Sequence, residues 1–188
     1  HDTIQKFSNT GSFIRKWGSQ GSGNGQFGEM HQVGVDSSGN VFVTDVGNTR
    51  IQKFSNTGTF IREWGTPGSG NGQFSDPFGV AVDTRSGQQN VFVADFEHDT
   101  IQKFSNTGSF IRKWGSQGSG NGQFIHPENV AVDSSGNVFV ADGSNDRIQK
   151  FSNSGSFIRK WGSSGSGDGQ FRSPEGIAVD KSGKCLCF

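Results

Sequence analysis

The sequence predicts an all-β fold in which one four-stranded antiparallel unit is used four times. Three observations carry that expectation. First, Ile4, Ile51, Ile101 and Ile148 each open the string I-Q-K-F-S-N, at steps of 47, 50 and 47 residues, and residues 1–27 recur letter for letter as residues 98–124. A period of this length is one supersecondary unit that cannot bury its faces alone. Second, the apolar set suits pleated surfaces: 18 Phe and 4 Trp stand beside a single leucine, Leu186. β-branched and aromatic residues fit strands, and a chain almost without Leu is poorly equipped for helices. Third, each period holds four short apolar runs separated by Gly, Asn, Asp and Ser, the pattern of a meander.

The second unit shows the elements in order. Residues 78–83 form an apolar run ending in Asp83, and a turn over 84–90 follows. Residues 91–95 are a second run, and 96–100 a loop. Residues 101–104 are a third run, 105–108 a turn, and 109–114 a fourth run ending in Trp114. We name these strand positions a, b, c and d. Positions a and b are apolar on both faces, so they are expected between neighbouring sheets. Positions c and d add Lys and Arg and are expected further out. Such a gradient, with about 47 residues per four-stranded sheet, is that of a β-propeller blade. The three extra residues of the second interval fall in the turn at 85–90, where insertion costs little.

These letters resemble the NHL repeat of six-bladed propellers. The resemblance rests on F-x-x-P-x-G-V-A-V-D (74–83), G-N-V-F-V-A-D (136–142), N-x-R-I-Q-K-F (48–54) and G-x-F-I-x-x-W-G (108–115), and it recurs along the whole chain. It departs at Met30, where Pro77, Pro127 and Pro174 stand in the other units. It departs again at Thr3 and Thr100, where others have Arg50 and Arg147, and at residues 185–188, where C-L-C-F replaces V-F-V-A. The reading is therefore an all-β propeller of four-stranded antiparallel blades, a single domain over 1–188 with units of roughly 4–50, 51–100, 101–147 and 148–188. The chain opens with c and d and closes with a and b, so one blade is expected to be shared between the termini. Four blades closing alone, two chains forming an eight-bladed ring, and a piece of a longer array all satisfy this. The first residue, His1, reads as a processed, excised or trimmed start.

Composition narrows the function. Formal net charge is +0 and no stretch reaches membrane-spanning length. Neither nucleic acid nor membrane is expected as a partner. Comparing units within the chain separates frame from variation. The c–d turns (8–11, 55–58, 105–108, 152–155) hardly change. The segments leading into a (28–32, 75–79, 125–129, 172–176) and joining b to c (46–48, 96–99, 143–146) change strongly. In a meander both lie on one face, which is read as a binding face, with drift in tolerant loops as the alternative. Carboxylates predominate there, favouring a basic protein or peptide. The residues expected to bind are His31, Phe78, Phe96, Glu97, His98, Glu128, Asn129 and Glu175. His31, His98 and His126 with Asp76, Asp99 and Glu128 also make a conceivable metal set without ligand spacing. Asp36, Asp83, Asp133 and Asp180 recur at one strand end, as turn caps do. The basic pairs on d (Arg15 and Lys16, Arg112 and Lys113, Arg159 and Lys160) read as a guarded edge, with an RNA-binding rim as the rarer alternative. Trp17, Trp64, Trp114 and Trp161 read as inter-blade packing. Some NHL relatives are lyases using histidines, a metal and a tyrosine, and this chain has no Tyr. The expectation is a non-catalytic interaction module without cofactor, able to pair with itself through blade sharing. A metal-dependent hydrolase or lyase, and a scaffold without ligand, are the alternatives.

Overall fold

A computed structural model describes residues 2–85, 87, 89–180 and 182–188. Part of the insertion expected at 85–90 lies outside the described residues. The strands are β1 (Ile4–Phe7), β2 (Phe13–Trp17), the short β3 (Ser19–Gln20) and β4 (Gln26–Phe27), β5 (Met30–Val35), β6 (Val41–Asp45), β7 (Arg50–Phe54), β8 (Phe60–Trp64) and β9 (Pro77–Val82). They continue with β10 (Val91–Asp95), β11 (Thr100–Phe104), β12 (Phe110–Trp114), β13 (Pro127–Val132), β14 (Val138–Asp142), β15 (Arg147–Phe151), β16 (Phe157–Trp161), β17 (Ile177–Val179) and β18 (Cys185–Cys187).

Three complete four-stranded antiparallel sheets result, β5-β6-β7-β8, β9-β10-β11-β12 and β13-β14-β15-β16. They stand between two half-sheets, β1-β2 and β17-β18. The innermost strands lie side by side, β5 against β9, β9 against β13 and β13 against β17. The shared blade expected between the termini is not formed within the chain: among the described residues, the half-sheets remain separate two-stranded pairs.

Two expectations about burial change. Position c was expected further out, yet β7 and β11 are buried along their whole length, Lys53 and Lys103 included. Their stems lie along apolar surface, and the ammonium groups sit over the Phe42 and Phe92 rings at 4.9 and 5.4 Å and bond Asn106 and Asn153 of the next sheet. A lysine in a strand is therefore compatible with full burial. At position a only β5 is less enclosed than expected: it alternates between half-buried and exposed beside the half-sheet β1-β2, which carries no inner strands, whereas β9 and β13 have no exposed residue.

Each interface between sheets is built from the same parts. A bulge precedes the phenylalanine that ends position c, at Lys53/Phe54, Lys103/Phe104 and Lys150/Phe151. That phenylalanine packs on the tryptophan of the preceding sheet: Phe54 on Trp17 (6.2 Å), Phe104 on Trp64 (5.9 Å) and Phe151 on Trp114 (6.0 Å). It also meets Phe27, Phe74 or Phe124, each fully buried. Burying a side chain of this size stabilises by roughly 1.5–3 kcal/mol. A Cβ on Gly58, Gly108 or Gly155, all at positive φ, would come within 2.8 Å of a tryptophan ring, so glycine is what lets the c–d turn approach it.

Candidate functional site

The frame carboxylates come first, because they hold the loops. Asp45 and Asp142 end position b, fully buried. Asp142 accepts from the Ile125 amide (2.9 Å), Arg147 Nε (2.7 Å) and Gln149 Nε2 (3.0 Å), and Asp45 is bound in the same way by Gly28, Arg50 and Gln52. In the second complete sheet Thr100 replaces that arginine, and His98, at the position of Asn48 and Asn145, which donate to Asp45 and Asp142, has its Nδ1 2.8 Å from Asp95 Oδ2. Asp36 and Asp133 accept backbone amides two and four residues on, which makes them turn caps.

Two loops into position a are fastened to the b–c turn of the preceding sheet. Asp99 Oδ1 accepts the His126 amide and Asp146 Oδ1 the Ser173 amide, both at 2.8 Å. His126 and Ser173 consequently sit in the left-handed region, at φ 55° and 48°. Such backbone costs on the order of 1 kcal/mol and persists only where the surroundings impose it. Thr49 occupies the corresponding turn position in the first complete sheet and has no carboxylate to offer. Asp76, which corresponds to His126, is absent from the residues with positive φ.

One position of strand a supplies His31, Phe78, Glu128 and Glu175, one from each unit. The four line a single cleft of about 230 Å³ together with Gln32 and Asn129. From it a row of closely spaced rings crosses the face. His31 lies 3.6 Å from Phe78, Phe78 5.1 Å from Phe96, and Phe96 4.4 Å from His126 with planes only 8° apart. His126 Nδ1 is 2.9 Å from Ser144 Oγ.

Carboxylates border this row. Burial pushes Glu128 up to about 7; the Glu175 charge adds to the rise, His126 opposes it, and Asp76 adds a further push. Asp76 is also raised, first by burial, with His31 opposing and Glu97, Asp95 and Glu29 reinforcing. Asp76 Oδ1 is buried with no hydrogen-bond partner among the described residues. Glu29 lies 3.6 Å from His31 Nε2. The arrangement offers flat apolar faces beside unsatisfied negative charge, which suits a cationic group able to stack.

Of the eight residues expected at the site, five line the cleft and Phe96 extends it as a ring. Glu97 is exposed and acts on Asp76, while His98 is turned back onto Asp95. Gln32 and the ring role of His126 were not foreseen, although His126 stands directly before Pro127 as Asp76 does before Pro77. Among the described residues no group of three or more His, Cys, Asp or Glu is placed to hold a metal ion. The basic residues on position d are partly engaged: Arg15, Arg62 and Arg112 donate to carbonyls of the next sheet at Thr57, Thr107 and Ser154.

Comparison with known proteins agrees with the fold. A family model described as the NHL repeat matches residues 124–151, and one described as a 6-bladed β-propeller matches residues 2–69. No curated relative matches the sequence. Among solved structures, a streptogramin B lyase is similar at a TM-score of 0.65 and 15% identity, covering 100% of this chain and 61% of its own. A protein of unknown function from Bacteroides thetaiotaomicron reaches 0.77 at 16% identity, covering 98% of this chain and 50% of its own. A catalytically inactive virginiamycin B lyase from Staphylococcus aureus with quinupristin gives 0.63 at 15% identity, over 99% of this chain and 62% of its own. The chain thus spans about three-fifths of the length of the lyase structures, and at these identities the likeness is one of fold. Four-stranded antiparallel sheets set side by side, with the NHL match falling on a unit whose letters recur along the chain, show NHL-like repeats in a β-propeller-like arrangement.

Proposed function

We propose that this chain is a non-catalytic interaction module that captures a basic segment of a protein or peptide on its variable loop face. The observation that carries this reading is the row His31, Phe78, Phe96 and His126, which runs across the units amid Glu29, Asp76, Glu97, Glu128 and Glu175. A guanidinium or ammonium would stack on the rings while the carboxylates replace its water, and aromatic anchors in such settings dominate binding energy. The test is a panel of Arg- and Lys-containing peptides read by fluorescence anisotropy. Binding should weaken on the order of tenfold or more in Phe96→Ala, and acidic peptides should not bind. Failure of every basic peptide to bind the unaltered protein would reject the reading.

A second reading, a metal-dependent lyase or hydrolase, is favoured by one observation: Glu128, at about 7, could exchange a proton near neutral pH. The lyases of similar fold make that class concrete. It requires stoichiometric metal in the purified protein, lost in Glu128→Ala, and elemental analysis separates the two readings.

A further inference from the structure

The interface between sheets is made three times within the chain, and both halves of a fourth copy stand unused at its two ends. At the N-terminal end Phe7, which corresponds to Phe54, Phe104 and Phe151, is 52% exposed, whereas those are buried. At the C-terminal end Trp161 and Phe171, which correspond to Trp64 and Phe74, have no phenylalanine from position c against them. The polar contacts are split in the same way. Gln52, Gln102 and Gln149 each accept from a loop glycine amide (Gly25, Gly72, Gly122) and donate to the next carbonyl (Gln26, Gln73, Gln123). Gln5 makes neither bond, and the Gly169 amide and Gln170 carbonyl receive neither, among the described residues. Lys6, Lys53 and Lys103 each reach an asparagine of the following sheet, and Arg15, Arg62 and Arg112 a carbonyl in the turn before its strand d. Among the described residues Lys150 and Arg159 have no following c–d turn to reach, because the next sheet is the half-sheet β17-β18, and Asn9 and Thr10 have no preceding sheet. A Cβ on Gly11 would meet nothing within 4 Å, where Gly58, Gly108 and Gly155 face tryptophan.

We infer that a second copy of this chain supplies the missing half: β1 and β2 of one molecule dock on β17 and β18 of another and complete a four-stranded blade. The fit is already shown once within the chain. Residues 98–124, identical to residues 1–27, are seated on Lys53, Arg62, Trp64, Gly72, Gln73 and Phe74. The C-terminal end presents the same residue types in the same order, Lys150, Arg159, Trp161, Gly169, Gln170 and Phe171. A cleft of about 880 Å³ is open there, lined by Trp161, Gly169, Gln170, Phe171, Leu186 and Phe188. The strand edges agree as well. In the second complete sheet Val91, Phe92, Val93 and Ala94 pair with Phe104, Lys103, Gln102 and Ile101. The same register places Cys185, Leu186, Cys187 and Phe188 opposite Phe7, Lys6, Gln5 and Ile4 of the other copy. Unpaired edges of this kind are templates for strand addition. The contact is heterologous, so it must close by rotation or run on as a filament. Two chains close at eight blades, the upper end of the typical range of roughly 4–8, and three would exceed it. With two chains the contact closes as a two-fold ring, and that dimer is the assembly inferred for this chain.

The experiment combines mass and a register-specific link. Light scattering should give twice the chain mass, and Phe7→Asp, at an exposed position, should return it to that of one chain while leaving the circular dichroism spectrum unchanged. In Gln5→Cys with Cys185→Ser, mild oxidation should join the introduced thiol to Cys187 between two chains, seen as a doubled mass on a non-reducing gel and as that one cross-linked peptide. A single-chain mass at all concentrations, a link formed within one chain, or a mass that climbs with concentration without a plateau would each overturn the proposal.

Discussion

Phe104 and Phe7 stand in identical stretches of sequence, yet one is 1% exposed and the other 52%. The difference lies wholly in what precedes them. Phe104 has the sheet carrying Trp64 and Phe74 on one side, and Phe7 has none. Local sequence gives the strand, the bulge and the direction of the ring. Burial comes from the neighbour, as expected of an array whose stability is a sum of unit and interface contributions. A substitution in the two segments should therefore have very different effects, and that contrast is measurable.

The largest contrast is at the rings. Phe104→Ala opens a cavity between three aromatic side chains and should cost about 3–5 kcal/mol. Phe7→Ala should cost less than about 1 kcal/mol in the isolated chain, since little buried surface is lost. Urea unfolding at dilution measures both. If the two costs are alike, the end is as well packed as the interior. If the Phe7→Ala cost grows with protein concentration, the ends meet between molecules.

The buried amides come next. Gln102→Ala leaves the Gly72 amide and the Gln73 carbonyl without their partner and should cost about 1–3 kcal/mol. Gln5→Ala breaks no bond within the chain and should stay within about 0.5 kcal/mol in the isolated chain.

This contrast also marks what the sequence could reveal. The repeat, the four strand positions and the turn residues are local, and the strands fall where the runs and turns place them. The variable face was legible because the units could be compared with one another, and five of its expected residues do share one cleft. What was not legible depends on distances between units. Lys53 looked like a surface residue because alternation gives the face of a strand and says nothing of what lies across it. His98 looked like a ligand because nothing along the chain shows that its ring turns back onto Asp95, as Asn48 and Asn145 turn onto Asp45 and Asp142. The ring row needs Phe96 to span the gap between Phe78 and His126, which no spacing along the chain encodes.

The two ends of the sheets should respond oppositely to pH. At the turns, burial alone would raise Asp36 and Asp133, but the hydrogen bonds of Asn40, Asn106 and Ser38, and of Asn137 with Lys150, outweigh it and hold both below the ordinary value of 3.8. Their folded pKa is depressed, so their contribution is present above 3.8 and is lost as pH falls through the folded value. On the loop face the sign reverses. Glu128 rises from 4.5 to about 7, so its folded form holds the proton more tightly than the unfolded chain does. Stability from this group is fully present below 4.5 and declines as pH rises through about 7. Unfolding free energy measured from about pH 2 to about pH 8 should show that decline, and Glu128→Gln should flatten it while leaving the acid limb intact. Persistence of the decline in the glutamine variant would assign it to another group.

The smallest expected effect, and the finest test of the comparison, is in hydrogen exchange. In β10 and β11 every strand is paired on both sides and the side chains are buried. Their amides should open only near the free energy of global unfolding. β1 and β18 each have one paired edge and one free edge, and β18 has only three residues, two of them cysteines where β14 has Val138 and Val140. Their amides should exchange through local opening, faster than those of β10 and β11 in dilute protein. The two ends must then behave as one element or as two. If blades are completed between copies, β1 and β18 gain protection together as concentration rises, because each free edge is covered by the other. If the ends are independent, their protection stays low and does not depend on concentration. Equal protection in all four strands at every dilution would mean that the ends are as firmly held as the interior, and the contrast drawn from Phe7 and Phe104 would fail.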